Sequence, residues 1–177
     1  VYKRQVQVTG FSSGHIKAVP MLKTKTQITT LLAFLRDLEC GETTEFSESI
    51  RTFSSRTRHP GLVIIITDLL DHTELTNGLD YVRHRSHDLA LIQILAEEEI
   101  APPLSGALRL IDSEDESVVR VAVDARLRQL YEEKLQSELE LLEQYCAASD
   151  IEYIRATTLI PFEDLVFRYI RSTSQWR

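Results

Sequence analysis

Gly61-Leu-Val-Ile-Ile-Ile-Thr-Asp-Leu-Leu-Asp71 is the stretch that decides the fold. Leu62 to Ile66 is an unbroken apolar run dominated by β-branched side chains, bounded by His59-Pro60-Gly61 and by a polar end. It is too short for a core helix and lacks the alternation of a strand wetted on one face. The run therefore predicts a strand buried on both faces, as in parallel sheets covered by helices. It ends on Thr67-Asp68, at the carboxyl end of the strand, where open α/β sheets keep their ligand sites. Asp68 is the first candidate functional residue.

Working outward, apolar residues at Ile28, Leu31, Leu32, Leu35 and Leu38 predict a helix over Gln27 to Glu39, with Gly41 as its cap. Thr43-Thr44 offers an N-cap for a shorter helix with Phe46, Ile50 and Phe53 inward. After Asp71, Leu75, Leu79 and Val82 mark another helix, and Leu89 to Leu95 a second buried strand. Glu97-Glu98-Glu99 and Pro102-Pro103 are read as a loop. Leu108–Ile111 and Val118–Val123 predict a small hairpin inserted between core elements. A long helix from Ala125 to about Ala147, a strand from Ile151 to Ala156 and a helix opened by Pro161 follow. Before all of these, Val6–Phe11 and Ile16–Leu22 read as extended pieces, with Pro20 marking the second as an edge. Strand and helix patterns alternate from Gly61 onward, which predicts one α/β domain with a parallel sheet.

The 177 residues carry 43% hydrophobic and 27% charged side chains and a net charge of −7. The acidic balance argues against nucleic acid or an anionic membrane as the main partner. Cys40 and Cys146 lie far apart without metal-type spacing, which fits a reducing compartment. No stretch approaches the roughly 20 apolar residues of a membrane span. A cytoplasmic protein is the expectation, with a membrane anchor in a missing upstream region as the alternative. Val1-Tyr-Lys-Arg-Gln5 matches one reading frame of a common sequencing adapter, so residues 1–5 are read as an assembly artefact. Residues 173–177, with Trp176, are read as a frayed tail.

Four pieces together carry a family resemblance. They are Val63-Ile-Ile-Ile-Thr-Asp-Leu-Leu-Asp71, Val82-Arg-His-Arg-Ser-His-Asp88, Pro102-Pro-Leu-Ser-Gly-Ala-Leu-Arg-Leu-Ile-Asp112 and Ile151-Glu-Tyr153. Their order and spacing resemble the carboxyl-terminal part of the bacterial domain-of-unknown-function 58 family, commonly encoded beside MoxR-type AAA+ ATPases. Gly61–Asp71 also resembles the fourth strand of von Willebrand factor A-type domains. The resemblance implies a partial von Willebrand factor A-like (Rossmann-like) domain over residues 6–172. It would be a mostly parallel sheet with helices on both faces and an edge hairpin, its first central strand missing.

The same resemblance implies a metal-ion-dependent adhesion site built from three loops. The first, Asp-x-Ser-x-Ser, would lie upstream of Val6. The second supplies a threonine that falls on Thr44, and the third supplies Asp68. Glu42 and Thr43 stand where the family pattern has glycines. Magnesium suits such a donor set, because it prefers hard oxygens and retains several waters. An acidic side chain of a protein partner would complete the shell. The implied function is non-enzymatic: protein interaction with a MoxR-type ATPase in chaperone-like assembly or maturation. The alternatives are an interaction domain with a degenerate metal site, or a serine hydrolase.

The hydrolase alternative rests on Gly10-Phe-Ser-Ser-Gly14, which matches the nucleophile-elbow pattern with Ser12 as nucleophile. That motif needs a strand before it and a helix directly after. His84-x-x-His87 could pair two imidazoles on zinc, but Arg83 and Arg85 flank it and no third ligand is near. A solvated helix terminus is the simpler reading. The chain has no Gly-x-Gly-x-x-Gly, phosphate-binding loop or Cys-x-x-Cys.

Overall fold

The first strand of the central sheet, β3 (Leu62–Thr67), forms where the β-branched run predicts it. It was traced in a computed structural model that describes residues 5–12, 15–38, 46–57, 59–111, 117–161 and 163–167. Before it come the antiparallel strands β1 (Thr9–Ser12) and β2 (His15–Ala18), then helices α1 (Ile28–Arg36) and α2 (Phe46–Arg56). After it follow α3 (His72–Arg83), β4 (Asp88–Leu95), the one-turn α4 (Glu97–Ile100) and a hairpin of β5 (Gly106–Ile111) and β6 (Val118–Val123). Helix α5 (Ala125–Ala148) and β7 (Glu152–Thr157) complete the core, with a further helical turn over 163–167.

β3, β4 and β7 form a parallel three-stranded sheet in that order, flanked by helices. Each parallel step needs a crossover, supplied by α3 between β3 and β4 and by α5 between β4 and β7. Alternation along the strands sends Ile65, Leu89 and Leu91 into one cluster with Phe46, Ile50, Leu75, Leu79, Val82, Leu142 and Cys146. A second cluster joins Leu95 to Leu135 and Leu139, with Leu70 and Ile100 against it. Leu75, Leu79, Val82 and Leu91 are wholly buried, each worth roughly 1.5–3 kcal/mol of transfer free energy.

The sheet differs from expectation at β3. Leu62, Ile64 and Ile66 are 55%, 44% and 58% exposed, so this strand is buried on one face only. Among the described residues it pairs with β4 alone, which makes it an edge. β4 has the doubly buried character that the sequence suggested for β3: Leu89 to Leu95 is buried except for the half-buried Ile94. A continuous apolar run reports that both faces are greasy. It does not report whether a neighbour covers them.

Helix α1 departs in the same way. It forms nearly where its period predicts, yet none of its residues is buried, and Ile28, Leu32 and Leu35 face outward. Glu97-Glu98-Glu99 is not a loop but the turn of α4. The Glu99 carboxylate accepts from the Ala96 N–H at 2.6 Å, and the Tyr131 hydroxyl donates to the Glu99 carbonyl at 2.5 Å. The hairpin and long helix stand as predicted, α5 being capped by Asp124, whose carboxylate accepts from the Leu127 N–H at 2.7 Å. Gly41, Cys40, Thr43, Thr44, Trp176 and residues 1–4 lie outside the described residues. No helix among the described residues is long and apolar enough to cross a membrane.

Candidate functional site

Asp68 follows the last residue of β3 and is exposed at the carboxyl end of the parallel sheet. The backbone around it is fixed from both sides. The Leu69 N–H donates to Thr67 Oγ1 at 3.2 Å, and the Leu69 carbonyl accepts from Gln93 Nε2 at 2.7 Å. The Leu69 side chain meanwhile packs against the main core, and Leu70 against the second cluster. Asp68 is left as the outward residue of a tight strand end. Among the described residues it takes part in no salt bridge.

The other carboxylate of this segment is committed. Asp71 caps α3, accepting from the N–H groups of Thr73 at 2.8 Å and Glu74 at 3.0 Å, which satisfies two donors of the first turn. His72 Nδ1 bonds Glu138 on α5, and this bond holds the Glu138 carboxyl below its ordinary pKa. Glu74 reaches across to α2: its carboxylate accepts from the Phe46 N–H at 2.9 Å, and the Ser47 hydroxyl donates to the Glu74 carbonyl at 3.2 Å. The start of α2 is thus stitched to the first turn of α3. Thr44, two residues before Phe46, lies outside the described residues.

A cleft of about 440 Å³ opens beside Asp68, lined by Thr9, Gly10 and Phe11 from β1 and by Ile66 to Leu69. Phe11 anchors the β1 side by stacking edge-on to Phe46, with ring centroids 5.7 Å apart. The cleft therefore separates two strands, β1 and β3, each paired on one side only among the described residues.

These residues offer magnesium one uncommitted carboxylate, with the Thr67 hydroxyl beside it. No group of three or more His, Cys, Asp or Glu that could hold a metal occurs among the described residues. Magnesium is often held by one or two carboxylates plus waters, so Asp68 fits as one ligand of such an ion. The chemistry such an ion supplies is the attraction of a further carboxylate.

The remaining candidates fall elsewhere. Ser12 ends β1, and the chain turns into the antiparallel β2 at His15 instead of entering a helix, so the nucleophile-elbow context is not met. His84 Nδ1 lies 2.6 Å from the Asp80 carbonyl on its own helix. His87 is buried, with Nδ1 3.2 Å from both the N and O atoms of Gly61, latching the start of β3. The two imidazoles serve different backbone partners.

A family model described as "Protein of unknown function DUF58" matches residues 4–140. The chain belongs to this family. No curated protein and no solved structure matches it. In this DUF58 domain, sequence reasoning missed Gln93 and Glu74, and it weighed His87 only as a zinc partner of His84, not as the latch on Gly61. Gln93 carried a signal, as the lone polar residue inside the apolar Leu89–Leu95 run. Glu74 and His87 have ordinary helix-start and helix-end surroundings in sequence, and their partners lie 28 and 26 residues away.

Proposed function

We propose that this DUF58 domain is a non-enzymatic protein-interaction module of von Willebrand factor A type, with a metal-ion-dependent adhesion site at Asp68. Magnesium bound there would accept an acidic side chain from a protein partner. Through the family resemblance, the working partner is a MoxR-type AAA+ ATPase, and the process is assembly or maturation of another complex. The observation that carries this reading is the contrast between the two aspartates of the 61–71 segment. Asp71 is spent on capping α3, whereas Asp68 is exposed at the strand end, beside a cleft.

The strand that the resemblance expects upstream of Val6 would pair with β3 in this reading. The pairing of β3 with β4 alone among the described residues, and the exposure of Leu62, Ile64 and Ile66, support it. A degenerate metal site is the second reading, favoured by the lack of a ligand cluster among the described residues.

The test is binding of the purified MoxR-type ATPase to the full-length protein, measured in magnesium and in excess chelator. Binding that needs magnesium and is lost in Asp68→Ala supports the adhesion site. Binding indifferent to both favours the degenerate site, and no binding in any condition removes the ATPase as partner.

A further inference from the structure

Gln93 is wholly buried in the middle strand of the sheet, and its amide has two assigned partners. Nε2 donates to the Leu69 carbonyl at 2.7 Å, and Oε1 accepts from the Tyr153 hydroxyl at 2.6 Å. Tyr153 comes from β7, one strand further from the candidate site, paired beside Leu91. Burial pushes the Tyr153 hydroxyl up to about 12, so it remains a donor throughout the neutral range. The acceptance at Oε1 orients the amide so that its NH2 faces Leu69. A polar side chain in an otherwise apolar strand costs stability unless it is hydrogen-bonded, and both ends of this one are.

Leu69 is the first residue after Asp68, and its N–H is already held by Thr67 Oγ1, so the residue is bonded on both of its flanking peptides. Resting on the reading of Asp68 as the site carboxylate, we infer that Gln93, oriented by Tyr153, is a positioning residue that clamps the Leu69 carbonyl and so fixes where Asp68 is presented. Gln93 does not touch a ligand. It acts through the backbone, and it ties the site end of β3 to the far strand of the sheet.

Hydrogen exchange of the Leu69 amide in the full-length protein tests the clamp directly, with magnesium titrated in parallel. In Gln93→Met, which keeps volume but neither donates nor accepts as an amide does, exchange at Leu69 should speed about tenfold. The amides of Leu139 and Leu142 in α5 should hold their wild-type rates, and magnesium affinity should fall several-fold. Tyr153→Phe removes only the hydroxyl and should give a smaller change confined to the same place. Gln93→Glu supplies a chemical rescue: only the protonated acid can donate to the Leu69 carbonyl. Its exchange ratio to wild type should therefore fall toward one at Leu69 as pH is lowered, with Leu139 and Leu142 unmoved, whereas the bare cost of a buried charge would act on all of these amides alike. Unchanged exchange at Leu69, or uniform acceleration of all amides, overturns the clamp. If wild type shows no magnesium response at all, the site reading fails while the exchange pattern still decides the role of Gln93.

Discussion

Asp68 is exposed, and its removal should scarcely disturb the fold: Asp68→Ala is expected to change stability by less than about 0.5 kcal/mol in denaturant titration without metal. Glu138 is different, because His72 holds its carboxyl below the ordinary value of 4.5. A depressed carboxyl stabilises the fold above its unfolded pKa, and that contribution is lost as pH falls through the folded one. Melting temperature should thus fall more steeply in wild type than in Glu138→Gln as pH is lowered below about 5. Equal slopes would show that the His72 bond adds nothing. Cys146 is buried, and burial pushes its thiol up to about 12. Since the thiolate is the nucleophile, alkylation near pH 8 should proceed at Cys146 only when the domain opens. At this scale the sequence was partly legible. Asp68 stood out by its place after an apolar run, but the commitment of Asp71 to a cap and of Gln93 to Leu69 needed the tertiary fold.

Helices α2 and α3 meet at Gly78. A Cβ there would come within 2.4 Å and 2.7 Å of the Phe46 ring, which is wholly buried and stacked on Phe11. Alanine in a helix interior is worth about 1 kcal/mol over glycine, whereas overpacking costs about 1–3 kcal/mol. Overpacking should win, because the ring has no room to move. Gly78→Ala is expected to lower unfolding free energy by about 1–2 kcal/mol, and a stabilised variant would show that the contact relaxes freely. Periodicity located α3 and α5 because their apolar faces meet the sheet at Leu75, Leu79, Leu139 and Leu142. It also located α1, but period alone could not show that Ile28, Leu32 and Leu35 stay uncovered. The Glu97–Glu99 run reads as a loop in sequence because its charges mask a turn closed by Glu99 and Tyr131.

At the scale of the molecule, α2, α3 and α5 cover one face of the sheet, while among the described residues β3 is an edge strand with three exposed apolar side chains. Unpaired strand edges with greasy faces template pairing between chains. The 177-residue chain should therefore self-associate as concentration rises, and Ile64→Lys should reduce that association in sedimentation experiments with little loss of stability. Association unaffected by Ile64→Lys would locate it elsewhere. The parallel α/β character was legible from the alternation of runs, but which strand lies inside was not. That depends on partners far apart in sequence, such as β4 with β7. The central claim is that Asp68 contributes to a magnesium site, and ligand-linked stability tests it most directly. With magnesium at about 100 times its dissociation constant, native-state binding adds about 2.7 kcal/mol. The full-length protein should show a rise in melting temperature with magnesium, and Asp68→Ala should abolish it. No rise in wild type, or an equal rise in Asp68→Ala, would contradict the assignment.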